Sequence, residues 1–198
     1  MEANTVNTSD FILQRVAPIF NKQGYVGTSL SDLTQATGLT KGAIYFYFKN
    51  KEDLAVKAFK FNVKKVIAPL ADELNLADGA INKLKVLTDY YRGYYDIIAQ
   101  SGGCPILNVS TDANHINPAL FDLAKKVSKR LENDLIAIIQ TGIDNREIKE
   151  NIDASAYGKN IYAMIDGSIF MALTHNDSMY ISNMMDMIDE LITGKLMN

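Results

Sequence analysis

Residues 28–51 read TSLSDLTQATGLTKGAIYFYFKNK, a stretch that predicts two short helices joined by a tight turn. Thr28 or Ser29 can cap the first helix and Thr40 the second, because a hydroxyl oxygen accepts a hydrogen bond from an unpaired N–H group of a first turn. Gly38 stands where a helix typically ends in a left-handed residue. Five apolar residues share the inner side of the two helices and would fix the angle between them: Leu30, Leu33, Ala36, Leu39 and Ile44. The stretch therefore predicts a helix-turn-helix unit.

The second of these helices has a composition suited to DNA. Its first residues are basic or small, so its backbone can approach base edges in a major groove. Tyrosines and lysines follow, and these side chains can reach the phosphate backbone. The residues concerned are Thr40, Lys41, Gly42, Ala43, Tyr45, Tyr47, Lys49 and Lys51.

This segment resembles the N-terminal signature of the TetR family of transcriptional regulators. The resemblance rests on Gly24-Tyr25, on Thr28 and on GLTKGAIYFYFKNKEDL at residues 38–54, and it covers about residues 9–58. It implies a recognition helix that carries Lys41, Gly42, Ala43 and Tyr45, and phosphate contacts from Thr28, Thr40, Tyr47 and Lys51. Phe48 is expected to be a core residue.

Four positions depart from the common family pattern. Ser31 stands where many members carry a basic residue, so it would make a weaker DNA contact. Thr34 and Thr37 replace the usual alanines, and Ala43 stands where threonine is frequent. These differences bear on the operator sequence and leave the expectation of DNA binding unchanged.

The rest of the chain predicts helices, because apolar residues recur three and four positions apart. A first helix is expected after Ser9 or Asp10, ending at Gly24, and a fourth from about Lys51 to beyond Val66. Five further helices are expected at Asn82–Gln100, Pro105–Asp112, Pro118–Asp144, Ala154–His175 and Met179–Leu196. The fold class is therefore all-α, with about nine helices. The predicted domains are a DNA-binding domain at residues 1–50 and a ligand-binding and dimerisation domain at residues 51–198.

Composition is that of an ordinary globular protein, with 198 residues, a net charge of −3 and 47% hydrophobic residues. Residues 1–60 hold seven basic and five acidic side chains, whereas residues 146–198 hold four basic and eight acidic ones. This asymmetry would turn the N-terminal end toward DNA. The polar N-terminus and the lack of a long apolar run favour a cytoplasmic protein.

The last two helices are candidates for a two-fold, four-helix interface between two copies of the chain. A small helix-turn-helix headpiece contacts one half-site, so a dimer is expected. The predicted interface residues are Ile161, Ile165, Ile169, Ile181, Met184, Met185, Ile188 and Leu191. The alternative is that both helices belong to the core of a single chain.

Four tyrosines in one helix, Tyr90, Tyr91, Tyr94 and Tyr95, are candidates for an effector pocket. Aromatic walls with a polar hydroxyl suit a small organic ligand. Asp166 is a further candidate, because a buried carboxylate needs a partner. The alternatives are that the tyrosines pack against neighbouring helices and that Asp166 pairs across the dimer interface.

Cys104 is the single cysteine, which excludes an internal disulfide and a cysteine-rich zinc site. It precedes a predicted helix, whose N–H dipoles would lower the pKa of a thiol. The Gly-Cys step resembles a branch of the TetR family that includes the electrophile sensor NemR. One hypothesis is therefore a thiol sensor, and the alternative is a small buried side chain.

No phosphate-binding loop, nucleophile elbow or metal-ligand spacing is present in the sequence, so we predict neither an enzyme nor a metal or other cofactor. The predicted function is a ligand-responsive transcriptional regulator, most simply a repressor. It would bind palindromic double-stranded operator DNA as a homodimer, and a small organic effector would release it by shifting the fourth helix. The alternatives are a thiol-based sensor acting through Cys104 on the same scaffold and a helical protein-interaction module without DNA binding.

Overall fold

The structure is a computed structural model and describes residues 7–198. In this part of the chain ten α-helices follow one another, and the all-α prediction is confirmed. Their bounds are α1 Thr8–Gly27, α2 Leu30–Thr37, α3 Lys41–Tyr47, α4 Lys51–Leu76, α5 Ala80–Arg92, α6 Tyr94–Ala99, α7 Pro105–Asp112, α8 Pro118–Asp144, α9 Ala154–His175 and α10 Met179–Leu191. A single π-helical turn, Ile192–Leu196, follows α10.

Local side-chain caps explain where the first helices begin. The Asn7 side chain accepts from the N–H of Ser9, so α1 begins slightly before the predicted start. Ser29 and Asp32 form a reciprocal capping box at the start of α2, in which each side chain bonds to the backbone N–H of the other residue. The hydrogen bond from the Ser29 hydroxyl holds the pKa of Asp32 below its ordinary value. Gly38 ends α2 at φ 69°, as the turn requires.

Two predicted helices are interrupted. Residues 82–100 form α5 and α6 instead of one helix. The interruption lies at Gly93, whose N–H donates to the carbonyl of Tyr90 three residues back instead of four. The predicted helix at 179–196 ends as an α-helix at Leu191, after which the chain widens into the π-helical turn. That turn buries Ile192 and Leu196 and brings Met197 into a bridge with Ile148.

The chain divides into two compact units. Among the described residues, one comprises residues 7–65 together with Ser101–Ala124, and the other comprises Val66–Gln100 with Lys125–Asn198. This division differs from the boundary predicted after residue 50. The physical reason is that α7 packs against α1, so that a segment far along the sequence belongs to the N-terminal unit.

Each unit has its own apolar core. The first is centred on Ile12, Val16, Leu33, Ile44 and Leu54, and the second on Leu84, Ile98, Ile161, Ile165 and Ile181, and all ten residues have at most 1% of their surface exposed. No helix among the described residues combines the length and the apolar character that crossing a bilayer requires.

Candidate DNA-binding surface and effector site

The two helices α2 and α3 are held by buried apolar side chains on their inner faces. Leu33 and Ile44 are fully buried, and Phe48, just after α3, is 2% exposed. Phe48 is therefore a core residue, as predicted. Burial of one side of α3 fixes which of its residues face outward.

The outward face of α3 carries most of the predicted DNA contacts. Thr40 is exposed and caps the helix, since its hydroxyl oxygen accepts from the N–H of Ala43 at 3.2 Å. Lys41 and Gly42 are exposed at the N-terminus, and Tyr47 is exposed near the C-terminus. The remaining candidates are half-buried or lie on the neighbouring helix α2: Ala43 and Tyr45 are half-buried, and Ser31 on α2 is exposed.

Phe46 is a surface residue that the sequence analysis missed. Its side chain is 81% exposed, and its ring lies edge-on to that of Tyr47 with 5.1 Å between centroids. Helical spacing could have revealed it, because Phe46 is two positions from buried Ile44 and therefore on the opposite side of α3. A large apolar ring exposed on a basic surface suits contact with an apolar group such as a thymine methyl.

Thr28 is not available as a phosphate contact. It has 0% of its surface exposed, and its hydroxyl donates to the Gly24 carbonyl at 2.7 Å. Its role is to close the end of α1, where Gly24 breaks the helix at φ 73°. This corrects the role that the family resemblance implied for Thr28.

Lys51 begins α4 and is half-buried. Its ammonium group lies over the Tyr25 ring, 4.7 Å from the ring centroid. This cation–π contact orients the lysine against α1.

Three of the four candidate effector tyrosines form one aromatic cluster in the second unit. The ring centroids of Tyr90, Tyr91 and Tyr94 are 5.2 to 6.0 Å apart. The Tyr90 hydroxyl donates to the carbonyl of Val66, and burial raises the pKa of Tyr90 to about 12. Tyr94 is buried and Tyr95 half-buried. The tyrosines thus pack against one another and against a neighbouring helix, as the alternative predicted, and the Tyr90 hydroxyl is hydrogen-bonded.

Asp166 on α9 is a half-buried carboxyl group next to this unit's core residue Ile165. Burial raises its pKa to about 6, and a hydrogen bond from Tyr162 opposes that rise. The Tyr162 hydroxyl also lies 3.0 Å from the Ser128 hydroxyl of α8. Asp166 has no ion pair with a lysine, arginine or histidine among residues 7–198.

Cys104 lies at the N-cap of α7 in the first unit, whereas the tyrosines and Asp166 belong to the second. It is 2% exposed. This burial shields the sulfur from bulky electrophiles, so the packing alternative describes Cys104 better than the sensor hypothesis does.

The predicted dimer residues on α9 and α10 are mostly core residues of a single chain. Six of them have at most 1% of their surface exposed, which leaves nothing for a second copy to contact: Ile161, Ile165, Ile169, Ile181, Met185 and Ile188. Met184 and Leu191 are half-buried. The sequence pattern located the apolar sides of the two helices but could not distinguish an inner from an outer side.

The outer faces of α9 and α10 also carry exposed apolar residues. Phe170 on α9 and Met187 on α10 are each 57% exposed, and Tyr180 is 39% exposed. Gly167 on α9 has open space around the position that a Cβ atom would take. Together with exposed Ala163, these residues form a surface that another helix could approach closely.

This fold and surface define a helix-turn-helix DNA-binding protein with a separate helical unit. A family model described as bacterial regulatory proteins, tetR family, matches residues 12–58. A second model, the tetracyclin repressor-like C-terminal domain, matches residues 80–188. The chain belongs to the TetR family of transcriptional regulators.

Similar proteins agree with this membership. A TetR family regulator from Cytophaga hutchinsonii is 31% identical, with a TM-score of 0.86 over 98% of this chain and 100% of that one. A TetR regulator from Chloroflexus aurantiacus J-10-FL is 30% identical, with a TM-score of 0.90 over 96% of each chain. The fatty acid metabolism regulator protein of Bacillus subtilis (strain 168) is 25% identical over 158 residues, which are 80% of this chain and 79% of that protein.

Proposed function

We propose that this regulator is a repressor that binds a palindromic operator as a homodimer and is released by a small organic molecule. The observation that carries the proposal is the outward face of α3, where a capped N-terminus with exposed Lys41 precedes exposed Phe46 and Tyr47. Family membership favours this function over a helical interaction module without DNA binding.

On DNA, the N-terminal half of α3 is the part that reads sequence. Lys41 can donate to guanine, and Gly42 allows the helix backbone to lie close to the base edges. Phe46 offers an apolar contact farther along the helix. Tyr47 and Thr40 have hydroxyl groups that fix the register by bonding to phosphates.

The homodimer would form through the outer faces of α9 and α10. Exposed large apolar residues on both helices, Phe170, Tyr180 and Met187, are the kind of surface that association removes from water. A two-fold axis would place the same patch on both copies, as an isologous interface requires. Two headpieces then read two half-sites, which explains the expected palindrome.

The effector would bind in the second unit, which contains both the aromatic cluster and Asp166. A ligand with an apolar body packs on tyrosine rings, and a polar group of the ligand can bond to the carboxyl. Helix α4 runs unbroken from Lys51 to Leu76, so it joins the segment that follows the recognition helix to the second unit. A shift of α4 on ligand binding would change the spacing of the two recognition helices and weaken operator binding.

Selection from a random double-stranded DNA pool tests the proposal. Wild-type protein should enrich a palindromic motif at low salt. The variant Lys41→Ala with Tyr47→Ala should lose that enrichment, because both side chains are exposed on α3. The matched control is Lys64→Ala with Lys65→Ala, which removes two exposed charges from α4 and should keep the motif.

Enrichment that survives in the α3 variant would place the DNA surface elsewhere. No enrichment with the wild type at low salt would contradict DNA binding by the ligand-free protein. Half-site motifs without a palindrome would contradict the homodimer.

A further inference from the structure

A cavity of about 280 Å³ lies inside the first unit and is not part of the DNA surface or the tyrosine cluster. Its walls come from α1, α4, α7 and the start of α8. Three aromatic rings line it, those of Phe20, Tyr25 and Phe59. Its volume is close to the lower end of the range of about 300 to 1,000 Å³ that small-molecule sites occupy.

The polar side chains of this cavity offer acceptors. Both N–H groups of the Asn21 amide donate to backbone carbonyls, those of Ser101 at 2.7 Å and Gly103 at 2.8 Å. The Asn108 amide likewise donates to the carbonyls of Asn21 at 2.9 Å and Gly102 at 2.8 Å. An amide whose two N–H groups are engaged can only accept from a ligand. The cavity therefore favours a ligand that donates hydrogen bonds.

Asp112 adds a negative charge to these acceptors. One of its carboxylate oxygens accepts from the backbone N–H of Tyr25 at 2.8 Å. Within residues 7–198 no ion pair with a lysine, arginine or histidine neutralises this carboxylate. A carboxylate beside aromatic rings is the combination that binds an organic cation, since the rings attract the charge and the carboxylate bonds to its N–H groups.

We propose that this cavity is a binding site for a small protonated amine with an aromatic or other compact apolar body. The ammonium group bonds to the Asp112 carboxylate and to the side-chain amide oxygen of Asn108. The apolar body packs against Phe20 and Phe59. Lys22 and Gln23 lie at the exposed rim, where water screens the lysine charge. The site is distinct from the effector site proposed above, and its test does not depend on DNA binding.

Titration calorimetry of the full chain with benzylamine, which is protonated at pH 7, tests the site, with benzyl alcohol as the uncharged comparison. Wild-type protein should bind benzylamine, and benzyl alcohol should bind about tenfold more weakly, because it lacks the charge that pairs with Asp112. Asp112→Asn should lower benzylamine affinity about tenfold or more. This substitution keeps an oxygen that can accept from the Tyr25 N–H, so the fold is preserved.

Two variants control the result. Asp122→Asn removes an exposed carboxylate from α8 in the same unit and should leave benzylamine affinity unchanged. Val109→Phe fills the cavity while leaving Asp112 in place, and it should abolish binding of both probes. Equal affinity of wild type and Asp112→Asn, equal affinity for the two probes, unchanged binding by Val109→Phe, or no binding of benzylamine at millimolar concentration would each overturn the proposal.

Discussion

At the scale of single residues, Phe46 combines high exposure with a position on the recognition helix. A phenylalanine that is 81% exposed loses little packing when it is truncated, so its substitution separates a role in DNA binding from a role in the fold. Burial of such a ring against DNA would remove apolar surface from water.

Phe46→Ala should therefore lower operator affinity by about 1 kcal/mol, or roughly fivefold, without changing the melting temperature. Fluorescence anisotropy with the selected operator measures the first quantity, and thermal unfolding the second. Leu76→Ala truncates a side chain that is 85% exposed and lies in the second unit. If the two variants bind the operator equally well, Phe46 does not contact DNA.

Asp166 is the residue whose ionisation couples most directly to stability. Its pKa in the folded chain is about 6, raised by burial from an ordinary value of 3.8, so the folded state holds the proton more tightly than the unfolded state. The free energy of unfolding therefore decreases as pH rises from about 4 to about 6, by at most about 3 kcal/mol.

Asp166→Asn should consequently raise the melting temperature at pH 7, and the gain should shrink toward zero below about pH 3, where the wild-type carboxyl is protonated in both states. Thermal unfolding across this pH range is the measurement. Asp122→Asn, at an exposed site, is the control and should show no such trend. A gain that stays constant with pH would mean that ionisation of Asp166 does not cause it.

At the scale of elements, the contact between α1 and the segment leading into α7 depends on close backbone approach. Gly102 and Gly103 have φ values of 84° and 104°. A Cβ atom on Gly102 would lie 2.8 Å from the Cβ and 2.9 Å from the Cα of Lys22 on α1. The Asn21 and Asn108 amides then close this junction with hydrogen bonds to backbone carbonyls.

Gly102→Ala should be more destabilising than Gly38→Ala by at least about 1 kcal/mol. Both glycines are left-handed, at φ 84° and 69°, so alanine meets a similar backbone penalty at each position. The difference is space, because nothing lies within 4 Å of a Cβ on Gly38. Urea unfolding of the two variants measures the difference. Equal decreases in the free energy of unfolding would show that the backbone at this junction shifts to accommodate a methyl group.

At the scale of the whole molecule, the proposed homodimer requires the second unit to be both a stable core and a contact surface for another copy. Arg92 on α5 holds α10 through ion pairs with Asp186 at 2.8 Å and Asp189 at 2.5 Å. Buried isoleucines on α9 and α10 complete that core, and the exposed apolar residues of these helices would form the proposed interface. Two-fold association would determine the spacing of the two headpieces on DNA.

Met187→Glu should convert a dimer into a monomer, because it introduces a charge at the centre of the proposed apolar interface. Operator affinity should fall by about 100-fold or more, since a single headpiece contacts one half-site. Sedimentation velocity and anisotropy measure these effects. Gln100→Glu adds a charge at another exposed site of the second unit and should leave both unchanged; an unaltered dimer in Met187→Glu would place the interface elsewhere.

The amino-acid sequence alone determined the helix-turn-helix and most helix ends, since these depend on local chemistry. Ser29, Thr40 and Gly38 act on atoms within a few residues of themselves, so their roles can be read from spacing. The residues of α3 are likewise adjacent in sequence, which is why most of the candidate DNA surface was predicted.

Only the tertiary structure decided which side of each helix meets solvent. A helical period identifies an apolar face but not its partner, so the isoleucines of α9 were predicted at a dimer interface although they are buried in one chain. The burial of Thr28 and the exposure of Phe46 likewise depend on how the helices pack against one another, which the local sequence does not specify. The cavity at Asp112 had no local signal, because Tyr25 and Asp112, which form one of its walls, lie 87 residues apart and meet only when α7 packs on α1.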